Sequence, residues 1–137
     1  MATRTQQRRA AVWALYQSDL LGRPLEETFP RDTHSFTRAL ADAVHEHQEE
    51  LDALISRYAT GWSLERIAPL ERSILRVALL ELTHPAEVPG ERSIPPEGAI
   101  DEAVETAKEF CGSDAPGFVN GILGSALRDR QAASSEG

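Results

Sequence analysis

The sequence predicts an all-α protein, a compact helical bundle of about five to seven helices, and three observations carry that prediction. No stretch alternates apolar and polar residues with the period of two expected of a half-buried strand. Apolar residues instead recur at three- and four-residue steps, which places them on one face of a helix. Clusters of glycine, proline and capping residues separate these periodic stretches, and such clusters end helices.

In chain order, the first helix is expected over roughly residues 5–20, with Val12, Leu15, Tyr16 and Leu20 along one side and Trp13 at its edge. "GRPLEETFPRDT" interrupts it. A long second helix is expected over 34–59, where Phe36, Leu40, Val44, His47, Leu51, Leu54/Ile55 and Tyr58 share one stripe and Asp32 or Thr33 caps the start. Gly61 closes that helix, and Pro69 suits the first position of a third, over about 70–83. There Leu70, Ile74, Leu75, Val77, Ala78, Leu79 and Leu82 cover more than half the circumference, as befits the middle of a bundle. A proline-rich connector, "HPAEVPGERSIPPEG" (84–98), leads to a helix over about 97–111. Its Ile100, Ala103, Val104, Ala107 and Phe110 are expected inward, with Glu102, Glu105 and Glu109 outward. Ser113 or Asp114 caps a last helix over about 115–129. Residues 1–130 are thus expected to form one domain, and 131–137 a disordered tail.

The composition narrows the function. A hydrophobic content of 41% suffices for one core. No apolar run approaches the ~18 residues of a membrane span, and the N-terminus lacks a secretory signal. The single cysteine, Cys111, excludes an internal disulfide and a multi-cysteine zinc site, so a reducing cytoplasm is the simplest home. Cys111 falls on an apolar side and reads as an inert thiol. Of the histidines His34, His45, His47 and His84, the pair His45 and His47 is separated by about 200° around a helix and cannot share a metal from one face. No nucleotide, zinc-protease or nucleophile-elbow motif occurs. The expectation is a binding protein, not an enzyme, with no metal and no cofactor.

Three oddities suggest what it binds. The net charge is −8, yet residues 1–18 hold Arg4, Arg8 and Arg9 and no acid. At a helix N-terminus the dipole opposes each arginine by about 0.3–1 kcal/mol. A polyanion would neutralise such a cluster, although a frayed, solvated terminus accounts for it equally well. The polar side of the third helix holds Arg72, Arg76 and Thr83 but also Leu80, which reads either as an accident or as a small docking patch. Glu71 lies in the apolar arc of that helix, where the dipole or a basic partner would favour it. Finally, "GFVNGILGSAL" (117–127) carries Gly121 and Gly124, each costing a helix about 1 kcal/mol. They lie opposite the apolar side formed by Val119, Ile122, Leu123 and Ala126. Phe118, at the edge, is either core or a stacking platform for an unpaired base beside open backbone.

Four segments in order, "RRAAVWALYQ" (8–17), "IAPLERSILRVALLEL" (67–82), "AIDEAVETAKEF" (99–110) and "FVNGIL" (118–123), resemble the signatures of the bacterial NusB family of transcription antitermination factors. The resemblance implies an all-helical bundle without catalytic role that binds boxA-type single-stranded RNA of ribosomal RNA leaders. It does so with a small-subunit ribosomal protein, NusE, in a complex that joins elongating RNA polymerase. It further implies an RNA surface at Arg4, Arg8, Tyr16, Asp114 and Phe118, with Arg9 added on charge, and a ribosomal-protein contact at Glu71. Arg72, Arg76 and Leu80 stand beside Glu71 as the remaining candidates for the protein-partner patch. The chain departs from the family pattern in its few N-terminal basic residues, in Leu80 where an aromatic is common, in Ala115-Pro116 and in its long 84–98 connector. The resemblance leaves monomer and homodimer open. Two other functions fit the residues: the RNA-substrate-binding module that precedes ribosomal RNA cytosine methyltransferase domains, and a protein-interaction module without RNA binding. Against the first, no nucleotide-binding αβ unit follows before Gly137.

Overall fold

Thr3 starts the first helix of the computed structural model, which describes residues 2–90 and 93–136. Its side chain accepts the Gln6 N–H at 3.1 Å, and Gln6 Oε1 accepts the Thr3 N–H at 2.8 Å. This reciprocal box satisfies two amides that open α1 (Arg4–Leu21). Gly22 closes it at φ 65°, a left-handed conformation that glycine adopts without Cβ strain. A short 3₁₀ turn, Leu25–Thr28, then buries Leu25.

The helix expected over 34–59 is instead two, α2 (Ser35–Glu46) and α3 (Gln48–Tyr58). The break is one residue wide, at His47, whose φ of −100° and ψ of 14° leave the helical region. Its N–H still donates to the Ala43 carbonyl and its own carbonyl accepts the Leu51 N–H, so the bend orphans neither group. Leu40, Val44, Leu51 and Ile55 are all fully buried on either side of it. One core covers both helices, which is why the apolar stripe runs through the bend unmarked.

Pro69 occupies the first turn of α4 (Pro69–Thr83), where its missing N–H costs nothing. This helix packs against every other α-helix, and residues 73–82 are buried without a gap. Leu80 is fully buried, which corrects its assignment to an exposed docking patch. A helix surrounded on all sides has no solvent face for a leucine to occupy.

After a 3₁₀ turn at Pro85–Glu87 come α5 (Pro96–Phe110) and α6 (Ala115–Glu136). Residues 91 and 92 of the 84–98 connector and residue 137 of the expected tail lie outside the described residues. The backbone of α6 stays helical to Glu136 instead of ending near 129, since no glycine or proline occurs between Ser125 and Glu136 to stop it. Residues 131–135 are exposed along this extension. Two apolar residues expected inward are also exposed, Leu20 and Phe110, each in the last turn of its helix. Among the described residues, α-helices and 3₁₀ turns are the regular structure, and no helix is long and apolar enough to cross a membrane.

Candidate nucleic-acid interface

The N-terminal arginines divide into one exposed and two engaged side chains. Arg4 is exposed and lays its guanidinium 4.0 Å from the centroid of the Phe36 ring. It meets no carboxylate among the described residues. Arg8 points inward, and its Nε donates to Glu81 Oε2 at 3.0 Å, with both side chains nearly removed from solvent. Arg9 pairs with Glu109 of α5 and lies over the Phe110 ring. Arg8, which the resemblance places on the RNA surface, is thus already paired within the packing between α1 and α4. The sequence showed a basic cluster; its counter-charges are 73 and 100 residues away.

Aromatic rings gather beside this cluster. Trp13 makes edge contacts with Tyr16 at 5.6 Å and with Phe110 at 5.3 Å between centroids. The geometry suits rings that hold each other upright while leaving faces accessible. Phe110 escapes a helical-wheel reading because its position matches the inward stripe, whereas the end of α5 projects beyond the core.

Next to Phe110, Cys111 approaches Glu71, and from there a cleft of about 290 Å³ opens. Trp62, Arg66, Glu71, Asp114 and Phe118 line it. Phe118 is half-buried and meets the exposed Trp62 edge-on at 6.1 Å. Asp114 caps the approach to α6, its carbonyl accepting the Phe118 N–H. Burial raises the Glu71 carboxyl above its ordinary value. Burial, and then the Glu71 charge, push the Cys111 thiol upward, which disfavours a reactive thiolate. Glu71, Asp114 and Phe118, expected on separate partner and RNA surfaces, thus share one cleft. A Cβ added at Gly117 or Gly121 would meet open space, so that flank of α6 is bare backbone. Trp62 was missed because it lies in a loop with no periodicity to place it.

Arg72 and Arg76 are not on a docking face. Arg76 is almost wholly buried and grips Asp52 of α3 with two hydrogen bonds, at 2.7 and 3.1 Å. Asp19 of α1 lies 2.9 Å from Arg72 and 3.4 Å from Arg76, and Arg72 also donates to the Leu64 carbonyl. These charges tie α1 and α3 to α4, and a buried bidentate pair of this kind is a structural tie before it is a contact surface.

The NusB family model matches residues 5–128 of the chain. The chain is 37% identical to the transcription antitermination protein NusB of Symbiobacterium thermophilum, over 96% of its own length and 94% of that protein's. With the namesake from Rubrobacter xylanophilus the identity is 38%, over 85% of this chain and 84% of that one. Among solved structures, T. maritima NusB superposes with a TM-score of 0.79 at 32% identity, covering 93% of this chain and 92% of that one. A chain in a crystal structure of the antitermination factors NusB and NusE in complex with dsRNA superposes with a TM-score of 0.76 at 25% identity, covering 92% and 96%.

Proposed function

The chain belongs to the NusB family, and on that premise we propose that it is a non-enzymatic, cytoplasmic antitermination factor that binds boxA-type leader RNA together with the ribosomal protein NusE. The complex would join elongating RNA polymerase. The observation that carries the reading is a run of rings and charges: Arg9 lies over Phe110, Trp13 joins Phe110 to Tyr16, and the Glu71 cleft beyond Cys111 holds Trp62 and Phe118. Single-stranded RNA binds where cationic donors meet aromatic faces on which bases stack. In this reading Arg4 holds phosphate, Tyr16 and Phe118 stack bases, and Asp114 accepts from a base edge or sugar hydroxyl. Arg9 retains a share of the phosphate contact, its charge tempered by Glu109. Glu71, in the same cleft, receives the basic ribosomal protein, so RNA and protein meet along one edge. That adjacency accounts for a joint site stronger than either contact alone.

Because Arg8 and Arg9 are already paired with acids, a second reading also has support: a protein-interaction module without RNA affinity. Binding of boxA-containing and scrambled single-stranded RNA, each with and without the ribosomal protein, separates the two. A preference for boxA that sharpens when the protein is added is expected. Equal affinity for both RNAs in both conditions refutes the proposal, and protein binding without any RNA binding establishes the alternative.

A further inference from the structure

The bend between α2 and α3 gathers chemistry that RNA binding does not use. His47 stands at the bend, Glu50 in the first turn of α3, His84 at the end of α4 and Glu87 in the turn after it. The two imidazoles stack, their centroids 4.1 Å apart and their planes 19° from parallel. Each carboxylate reaches both rings. Glu50 lies 3.1 Å from His84 Nε2 and 3.5 Å from His47 Nδ1, and Glu87 lies 2.6 Å from His47 Nε2 and 3.4 Å from His84 Nδ1. The donor atoms of His47, Glu50 and His84 all lie within 4.8 Å of one another.

We propose that this cluster binds a divalent ion of the zinc type, with His47, His84 and Glu50 as ligands and Glu87 beside them. A tetrahedral ion with bonds of about 2.0–2.2 Å needs donor atoms about 3.4 Å apart, so binding requires the two rings to tilt out of their stack until their in-plane lone pairs converge. One further observation favours an ion over a set of ordinary ion pairs. The chain segments that supply the site, residues 39–56 and 77–90, contain no lysine or arginine to neutralise Glu50 and Glu87, while Asp42, Glu46 and Glu49 add to the negative field. Two imidazoles with carboxylates suit zinc, while calcium and magnesium prefer an all-oxygen shell. His45 and His47 indeed share no face; the second imidazole comes from His84, brought in by the bend. A bound ion would pin the start of α3 to the connector after α4.

The test is calorimetric titration of chelator-treated full-length protein with zinc chloride, beside thermal unfolding with and without zinc. One equivalent of zinc, a raised melting temperature and the visible absorption of four-coordinate cobalt on substitution are expected. His84→Gln and Glu50→Gln should each weaken zinc at least about tenfold, the order lost even when outer-shell partners are removed, while His45→Gln leaves it unchanged. Glu50 is exposed, so its variant keeps the test valid should His84→Gln unfold. Absence of zinc uptake, uptake equal to wild type in both ligand variants, or calcium binding as tight as zinc overturns the proposal.

Discussion

Arg8→Ala tests the division of labour among the N-terminal arginines. The substitution leaves Glu81, whose side chain is only 2% exposed, without its counter-ion. Removing one partner of a buried pair costs about 3–5 kcal/mol, because the remaining charge can neither be solvated nor paired. For a domain of this length about 1 kcal/mol corresponds to about 3–4 °C, so the melting temperature should fall by about 10–20 °C at neutral pH. The loss should also depend on pH in a definite sense. Burial raises the Glu81 carboxyl above its ordinary value, and Arg8 partly offsets that rise. Between the ordinary and the raised value the folded protein binds more protons than the unfolded chain, so stability falls as pH rises through that window. Without Arg8 the folded-state value climbs further and the window widens upward. The stability gap between variant and wild type should therefore be smallest in acid, where Glu81 is protonated in both, and grow toward neutrality. Urea unfolding at several pH values measures it. A loss under about 1 kcal/mol at neutral pH, or a gap that widens as pH falls, would refute the assignment. The double variant Arg8→Met, Glu81→Leu removes the charge while filling the site, and its RNA affinity then reports whether Arg8 also touches phosphate.

Other substitutions probe the remaining assignments. Leu80→Ala should cost about 2–5 kcal/mol in urea unfolding, as for other core leucines, and leave ribosomal-protein affinity intact once folded. Trp62→Ala, at a site 53% exposed, should barely change the melting temperature but weaken single-stranded RNA binding by about 1–3 kcal/mol, the value of one lost stacking contact. Arg4→Ala should lower the salt dependence of RNA binding by about 0.7 in the log–log slope, one phosphate contact on a single strand, with similar losses for every RNA sequence.

The helices were legible because their signals are local. Pro69 opening α4 and the three- and four-residue apolar steps lie within a turn or two of the elements they set. The surface was less legible because it inverts the rule that polar residues face water. A helical wheel places Arg76 on a polar side, but only the tertiary fold shows that α3 covers that side and brings Asp52 to meet it from 24 residues away. Phe110 and Trp62 fail in the opposite direction: apolar by type, they are exposed because a helix end and a loop project past the core. The bend at His47 was hidden for a related reason, since both halves bury their stripe in the same core. The misplaced charges and the misplaced rings belong to one arrangement. Arg8–Glu81 and the Asp19 contacts with Arg72 and Arg76 fix α1 on α4 along its length, and α1 is the helix that carries Arg4, Trp13 and Tyr16. The buried ion pairs thus set the position and tilt of the aromatic strip, so a variant that breaks them would disturb the exposed surface without touching it.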